Sequence, residues 1–228
     1  MLFIKSIEFS KILNIKMNNE IEKRKENFIR DLQNKKFDDN YIIQKYLCNG
    51  SSPIFDESTI FLIKYNIANK FSIHPNEIIL TGSAQLGFSI APEKELNNFN
   101  DNSDIDIAII SNSLFERYWS KLLLFNINVE SRTEKEQKNY DKFINYLFRG
   151  WIRPDKFPFK FEKKKEWFQF FNELKSKFYK YGEHEFAAGI YKNFTVFELY
   201  NKENINRIRN KINAGVFNNG KNRKHKFE

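Results

Sequence analysis

A chain of 228 residues, 41% of them hydrophobic and 17% aromatic, is long enough for one packed domain with a helical extension. Its 38 basic and 29 acidic residues give a formal net charge of +9, which favours phosphate-bearing partners such as nucleotides, nucleic acid or an anionic membrane surface, although a lysine-rich composition alone gives the same excess. The single cysteine, Cys48, excludes an intramolecular disulfide and a zinc site made of thiolates. Because no stretch approaches the roughly 20 apolar residues of a membrane span and no signal peptide is recognisable, we expect a cytoplasmic protein.

Residues 1–50 are expected to form a helical N-terminal segment. Apolar residues recur close to one helical face, and the charged run from Glu20 to Arg30 between and around them is typical of a solvated helix surface. The apolar positions are Met17, Ile21, Phe28 and Leu32. A cluster of turn residues, Cys48–Pro53, ends this segment.

Two short apolar runs in the next part of the chain have the length and composition of buried strands. Asp56 is placed to cap a helix that precedes them. The first strand is predicted over Glu77–Thr81 and ends in Gly82-Ser83, and the second is predicted over Asp104–Ser111.

Helices dominate the second half of the chain. Three segments have the form of a capping box, in which serine or threonine is followed three residues later by glutamate: Ser113–Glu116, Thr133–Glu136 and Thr195–Glu198. Residues 164–179 carry an amphipathic stripe, which indicates core packing rather than a platform for stacking bases. The stripe consists of Trp167, Phe170, Phe171, Leu174 and Phe178. A third strand is expected within His184–Lys192.

Strands separated by helices, with a further helix after the last strand, predict an α+β fold. The expected parts are an N-terminal helical segment (residues 1–50), a core with a helical insertion (residues 51–192), and a C-terminal helix with a basic tail (residues 193–228). The tail is either a solvated terminus or a source of non-specific affinity for nucleic acid.

Asp104 and Asp106 stand two residues apart in the second predicted strand. Successive side chains of a strand point to opposite faces, so the two carboxylates share one face while Ile105 and Ile107 share the other. Neighbouring carboxylates repel each other unless a cation compensates. Magnesium prefers carboxylate and phosphate oxygens, and a pair of metal ions clamps the attacking and leaving oxygens of a phosphoryl transfer. Taken alone, the pattern also fits an exposed strand surface.

Gly82-Ser83 lies where the first strand ends and a helix is expected to begin. Glycine lets the backbone approach a ligand closely, and Gly87 keeps the following turn small. The serine hydroxyl and nearby backbone N–H groups can hold phosphate oxygens at the positive end of a helix. Taken alone, Gly-Ser also fits a plain strand-to-helix turn.

Together, residues 76–112 resemble the signature of the DNA polymerase β-like nucleotidyltransferases, which is a hydrophobic strand, Gly-Ser, a helix, and Asp-x-Asp in the next strand. The resemblance implies a polymerase β-like core, in which a small mixed sheet is combined with helices. It implies that Gly82 and Ser83 bind nucleotide phosphates. It also implies that Asp104 and Asp106 are catalytic and bind two Mg²⁺ or Mn²⁺ ions.

Two features depart from the family pattern. The polar segment Pro92–Asn102 separates Gly-Ser from the Asp pair, and we expect it to form a loop beside the site. Active members also carry a third carboxylate on a later strand, which assists the metal and helps to deprotonate the attacking hydroxyl. Glu185 is the first choice for this role and Glu162 competes with it, whereas Glu198 is explained as part of a helix cap. Without a third acid, the chain would bind nucleotides and not turn them over.

The resemblance implies transfer of a nucleoside monophosphate from an NTP or dNTP to a hydroxyl, with release of pyrophosphate. Small stand-alone bacterial members occur in anti-phage operons, where they make oligonucleotide signals, and as antitoxins that nucleotidylate a partner toxin. We expect template-independent synthesis of an oligonucleotide or nucleotide signal, with a single-stranded product and an operon-encoded effector or toxin as partner. The alternatives are nucleotidylation of a partner protein and an inactive module that binds nucleotides or nucleic acid.

A second group of residues combines positive charge with an aromatic ring. Arg149, Arg153 and Lys156 surround Gly150-Trp151, and this composition suits a phosphate or base contact. The alternative is a helix end that is packed by Trp151.

Overall fold

The structure, a computed structural model, describes residues 2–91, 93–94, 96–128 and 131–215, with side chains described from residue 15 onward. The described residues form an α+β fold of eight α-helices and one four-stranded mixed sheet, which confirms the predicted fold class. The helices are α1 (Leu2–Gln33), α2 (Asp39–Ile43), α3 (Glu57–Phe71), α4 (Gly82–Leu86), α5 (Asn112–Ile127), α6 (Glu134–Phe148), α7 (Lys163–Lys177) and α8 (Phe194–Asn213). The strands are β1 (Ile78–Thr81), β2 (Ile105–Ile110), β3 (Trp151–Ile152) and β4 (Phe186–Tyr191).

The sheet has the strand order β1-β2-β4-β3. β1 is antiparallel to β2, β2 is parallel to β4, and β3 is antiparallel to β4. Parallel strands need a long crossover, and here α5, α6, β3 and α7 lie between β2 and β4 in the sequence. One face of the sheet is strongly apolar: Ile105, Ile107, Ile109 and Ile190 are at most 3% exposed.

The chain separates into two compact units, each made of more than one stretch of sequence. The sheet unit consists of Asp56–Thr81 and Asn100–Tyr200, and it contains all four strands. The helical unit consists of Met1–Phe55, Gly82–Phe99 and Asn201–Glu228. The three-part division into residues 1–50, 51–192 and 193–228 stays a prediction about chain segments.

Two of the predicted helix starts are confirmed. The Asp56 carboxylate accepts a hydrogen bond from the backbone N–H of Thr59 at 2.7 Å and caps α3. Thr133 and Glu136 form the reciprocal capping box at the start of α6. Each cap satisfies backbone N–H groups that the first turn of a helix leaves without a partner.

The other two predicted capping boxes are wrong. Ser113 lies inside α5, and the cap is Ser111, whose hydroxyl accepts from the backbone N–H three residues later at 3.3 Å. Thr195 lies inside α8, and the Asn193 side chain instead accepts from the backbone N–H three residues later at 3.0 Å. In both places a polar residue two positions earlier in the sequence caps the helix, and sequence spacing alone does not show which of the two polar residues is the cap.

The apolar stripe of α7 lies in the core, as predicted. Trp167, Phe171 and Leu174 are at most 3% exposed. The Trp167 ring packs against Phe71 of α3, with centroids 5.0 Å apart, and edge-on against Tyr118 of α5 at 5.8 Å. The stripe therefore joins three helices of the sheet unit. No helix among the described residues has both the length and the apolar character to cross a bilayer.

Gly87, just after α4, is required by the packing of the helical unit. Its φ is +85°, a conformation that residues with a Cβ rarely adopt. A Cβ at this position would lie 2.7 Å from Cγ1 of Ile21 and 2.8 Å from Cγ of Pro53. Ile21 of α1 is fully buried, so its side chain has no free space into which it can move. The sequence interpretation that Gly87 keeps this turn small is confirmed.

We expect Gly87→Ala to lower the free energy of unfolding by about 3 kcal/mol, because an unfavourable φ and overpacking each cost about 1–2 kcal/mol. Gly215→Ala is the matched control, since Gly215 also has a positive φ (+67°) but no atom of the described residues lies within 4 Å of its Cβ position. It should cost about 1 kcal/mol. Urea unfolding monitored by circular dichroism measures both, and equal losses would contradict the contact with Ile21 and Pro53.

Candidate active site

Asp104 and Asp106 lie at the beginning of β2. Asp104 immediately precedes the strand and Asp106 is its second residue, so the two side chains share one face. Asp104 is exposed and Asp106 is half-buried, whereas Ile105 and Ile107 on the other face are buried. The sheet therefore holds two carboxylates at one end of β2 on a rigid apolar support.

Thr81, the last residue of β1, is the cross-strand neighbour of Asp106. Directly opposed residues of antiparallel strands share a face, with Cβ atoms about 4.5–5.5 Å apart, so the threonine side chain lies beside the Asp106 side chain. Gly82 is the next residue of the chain. The sequence motifs do not identify Thr81, because threonine belongs to neither the Gly-Ser nor the Asp-x-Asp pattern. Its place beside Asp106 is seen only from the pairing of β1 with β2.

Gly82 and Ser83 begin α4 directly after β1 and belong to the helical unit. Gly82 has a φ of +63°, which explains the glycine by backbone conformation alone. α4 has five residues, so its dipole is weak, and the Ser52 hydroxyl anchors it by donating to the carbonyl of Ala84 at 2.6 Å. The phosphate-binding role of Gly82 and Ser83 stays a prediction.

Glu185 precedes β4 as Asp104 precedes β2. The backbone N–H of Ile105 donates to the carbonyl of Glu185 at 2.8 Å, and Ile105 is the register partner of Phe186. The backbone of Glu185 is therefore adjacent to that of Asp104. Its exposed carboxylate is hydrogen-bonded to Lys175 of α7, and this contact raises the pKa of Lys175.

The two other candidates for the third carboxylate lie before or within a helix. Glu162 directly precedes α7, where its carboxylate is 3.6 Å from the ammonium group of Lys163. Glu198 lies in α8, although the capping role that the sequence suggested for it is wrong. Of the three acids, Glu185 is the one whose backbone borders the sheet beside the Asp pair.

The position beside Asp106 on β4 is occupied by Ala187. Asp106 and Ala187 are register partners, and in parallel strands such partners share a face. Ala187 is exposed, and the next residue of β4 on that face is Gly189. β4 therefore leaves space beside Asp106, and none of its own residues is a carboxylate.

The chemistry of Asp104 and Asp106 suits one Mg²⁺ or Mn²⁺ ion, because Mg²⁺ is commonly held by one or two carboxylates together with water and phosphate oxygens. Across the part of the chain that the structure describes, no group of three or more His, Cys, Asp and Glu side chains is arranged to hold a metal. A second ion would depend on release of Glu185 from Lys175, or on oxygens that the substrate supplies.

Tyrosine rings pack around Trp151 of β3. Tyr191 stacks on the indole with centroids 5.3 Å apart, Tyr200 is tilted against it at 4.4 Å, and Tyr146 meets it edge-on at 5.2 Å. The indole Nε1 is buried and has no hydrogen-bond partner within the described residues. A Cβ on Gly189 would lie 2.6 Å from this nitrogen. These contacts favour the packing interpretation of Trp151 over a base contact.

The neighbouring cations are held by Asp155. Arg153 donates to both oxygens of this carboxylate, at 3.1 and 3.0 Å, and Lys156 lies 3.4 Å from it. The Arg153 guanidinium also lies 5.0 Å from the ring centroid of Tyr146. Burial lowers the pKa of Arg153, but the ion pair with Asp155 outweighs burial and raises it. A phosphate at Arg153 would therefore compete with Asp155.

Tyr191 is a buried tyrosine whose pKa is affected by the charge of Asp106. Burial raises its pKa well above the usual value, and the charges of Tyr200 and Asp106 add to the effect, while Arg153 opposes it. Tyr191 is 5% exposed. Its hydroxyl therefore stays protonated at physiological pH.

Comparison of the chain with protein-family models, with curated proteins and with solved structures finds no match. The family resemblance therefore rests on the Gly-Ser and Asp-x-Asp patterns and on their order in the chain. Any function has to be argued from the chemistry and placement of these residues.

We expect Gly189→Ala to displace the Trp151 indole, lower the free energy of unfolding by about 2 kcal/mol and shift the tryptophan emission to longer wavelength. Trp151→Phe removes the nitrogen that the new methyl group would meet. The double variant should therefore be about 1 kcal/mol more stable than the sum of the single effects predicts. A Gly189→Ala protein as stable as the wild type would contradict this packing.

Proposed function

We propose that this chain is a metal-dependent nucleotidyltransferase of the DNA polymerase β-like type, which transfers NMP or dNMP from a nucleoside triphosphate to a hydroxyl and releases pyrophosphate. The register of β1 and β2 carries the proposal. Thr81, directly before Gly82-Ser83, is paired with Asp106 of the Asp-x-Asp pattern. This register supports the order that the resemblance requires, in which Gly-Ser ends one strand and the carboxylates begin the next.

In this proposal, Asp104 and Asp106 hold the catalytic cation, and Gly82 and Ser83 bind the triphosphate. A cation held by these two carboxylates would supply polarisation of the transferred phosphoryl group and neutralisation of charge on the leaving pyrophosphate. The protein contributes position rather than covalent chemistry. The half-buried Asp106 is fixed within the sheet, while the exposed Asp104 leaves room for a substrate that carries its own negative charge.

The proposed product is a template-independent oligonucleotide or nucleotide signal, made in the bacterial cytoplasm as part of anti-phage defence. A formal net charge of +9 supports a substrate and product that carry phosphate. The proposed partners are a nucleoside triphosphate, a single-stranded product, and an operon-encoded effector or toxin.

One observation favours a second candidate function, an inactive module that binds nucleotides without turning them over. Ala187 stands beside Asp106 on β4, and the carboxylate of Glu185 is bonded to Lys175. A donor set of two carboxylates binds a cation, but it lacks the third acid that helps to deprotonate an attacking hydroxyl. The two functions differ in whether pyrophosphate is released.

The deciding experiment incubates the protein with Mg²⁺ or Mn²⁺ and each labelled NTP and dNTP, and it measures pyrophosphate release and product size. We expect Asp104→Asn and Asp106→Asn to lower the rate about a hundredfold or more, because a polarising cation contributes several kcal/mol to the transition state. Asp101→Asn is the matched control: the same change at an exposed residue of the preceding loop should leave the rate unchanged.

Each outcome of this experiment selects one function. A product ladder that disappears in the two variants establishes oligonucleotide synthesis. Label that stays with the protein and is removed by protease establishes protein nucleotidylation. Saturable nucleotide binding without pyrophosphate release would exclude the catalytic proposal for the isolated chain and support the binding module.

A gain-of-ligand variant tests the cation site independently of turnover. Ala187→Asp adds a carboxylate beside Asp106, and we expect it to bind Mn²⁺ about tenfold more tightly than the wild type. Without the ion, three neighbouring carboxylates should lower the melting temperature. Ala187→Asn, with the same shape and no charge, is the control. Equal Mn²⁺ affinity of the Asp and Asn variants in calorimetric titration would show that no cation binds beside Asp106.

A further inference from the structure

His184 joins the beginning of β4 to the beginning of β2. Its side chain is buried, at 6% exposure, and its Nδ1 lies 2.7 Å from the carbonyl oxygen of Ser103. A carbonyl oxygen can only accept, so Nδ1 carries the proton and donates. This carbonyl belongs to the peptide group that joins Ser103 to Asp104. The hydrogen bond therefore acts directly on the backbone of Asp104.

A second hydrogen bond holds the same two segments together. The backbone N–H of Ile105 donates to the carbonyl of Glu185 at 2.8 Å, so Asp104 lies between two residues that are each bonded to the start of β4. A residue at a strand end otherwise opens more readily than the strand interior. The bond from His184 extends the ordered backbone by one peptide group, to the N-terminal side of Asp104.

Gly182 defines where the imidazole ring can lie. Its φ is +113°, and a Cβ there would be 2.8 Å from Nε2 and 2.9 Å from Cδ2 of His184. A side chain at position 182 is therefore incompatible with the observed ring position. The ring is confined between the backbone of Gly182 on one edge and the carbonyl of Ser103 on the other.

We propose that His184 is a positioning residue for cation binding by Asp104 and Asp106. It holds the Ser103–Asp104 peptide group in place, and both carboxylates then stay on one face of β2 before a cation arrives. This inference rests on the proposed function, because that function assigns the cation to these carboxylates. Ligands that are already ordered lose less conformational freedom on binding, and residues that orient metal ligands typically contribute about 10–100-fold in affinity.

The test measures Mn²⁺ affinity of the full chain without nucleotide, from the electron paramagnetic resonance signal of free Mn²⁺. His184→Asn keeps a side-chain donor at the position of Nδ1, and His184→Gln moves it one bond further along the side chain. We expect the Asn variant to bind within about threefold of the wild type and the Gln variant about tenfold more weakly. The Asp104→Asn variant gives the Mn²⁺ affinity that remains when the Asp104 carboxylate is removed.

Gly182→Ala is an independent variant, because it displaces the ring and leaves the imidazole in the protein. We expect it to weaken Mn²⁺ binding about tenfold. Melting temperatures and circular dichroism are recorded for every variant. A purely structural histidine would lower the melting temperature of the Asn and Gln variants without separating their Mn²⁺ affinities.

The possible failures are distinguishable. If the Asn and Gln variants bind Mn²⁺ equally, or if Gly182→Ala binds like the wild type, the positioning role of His184 is overturned and the proposed function stands. If the wild type and Asp104→Asn bind Mn²⁺ equally, the cation site fails, and the proposed function and the role of His184 fail with it.

Discussion

The parallel pairing of β2 with β4 is the interaction on which the candidate site depends. A slip of this pairing by one residue would turn Asp106 toward the apolar face of the sheet. The buried face formed by Ile105, Ile107 and Ile109 opposes such a slip, because the slip would place the Asp106 carboxylate in this apolar surrounding, where a charge is costly. The hydrophobic core therefore decides that Asp106 lies beside Ala187, and the chemistry of the site follows from that register.

Two features reduce the repulsion between the acidic residues at the beginning of β2 and β4. Adjacent carboxylates repel, and burial strengthens the repulsion. Asp104 is exposed to water, and the charge of Glu185 is balanced by Lys175. Repulsion around the half-buried Asp106 is thereby reduced. The ion pair with Lys175 also occupies the carboxylate that the proposed function would require as a third metal ligand.

The sequence predicted those features that depend on neighbouring residues. The α3 cap at Asp56 and the strands on either side of Gly82-Ser83 follow from local hydrogen bonding and apolar runs. The capping boxes predicted at Ser113 and Thr195 were wrong, because a second polar residue nearby caps the helix in each place. The placement of Ala187 beside Asp106 could not be predicted, because register is set by the burial of residues that are distant in the sequence. Glu185 was selected from the sequence, but the pairing of its backbone with that of the Asp104 segment is set by the same register.

The helical unit is assembled from three separated stretches, and this affects how the chain folds as it is synthesised. Arg209 donates to the carboxylate of Asp39 at 2.9 Å and also to the carbonyl of Leu32, across 170 and 177 residues of sequence. Contacts between distant residues close long loops, which slows folding. The first helices wait for α8 to leave the ribosome before these bonds can form. The region around Leu32 and Asp39 therefore gains these bonds only after the whole sheet unit has been synthesised.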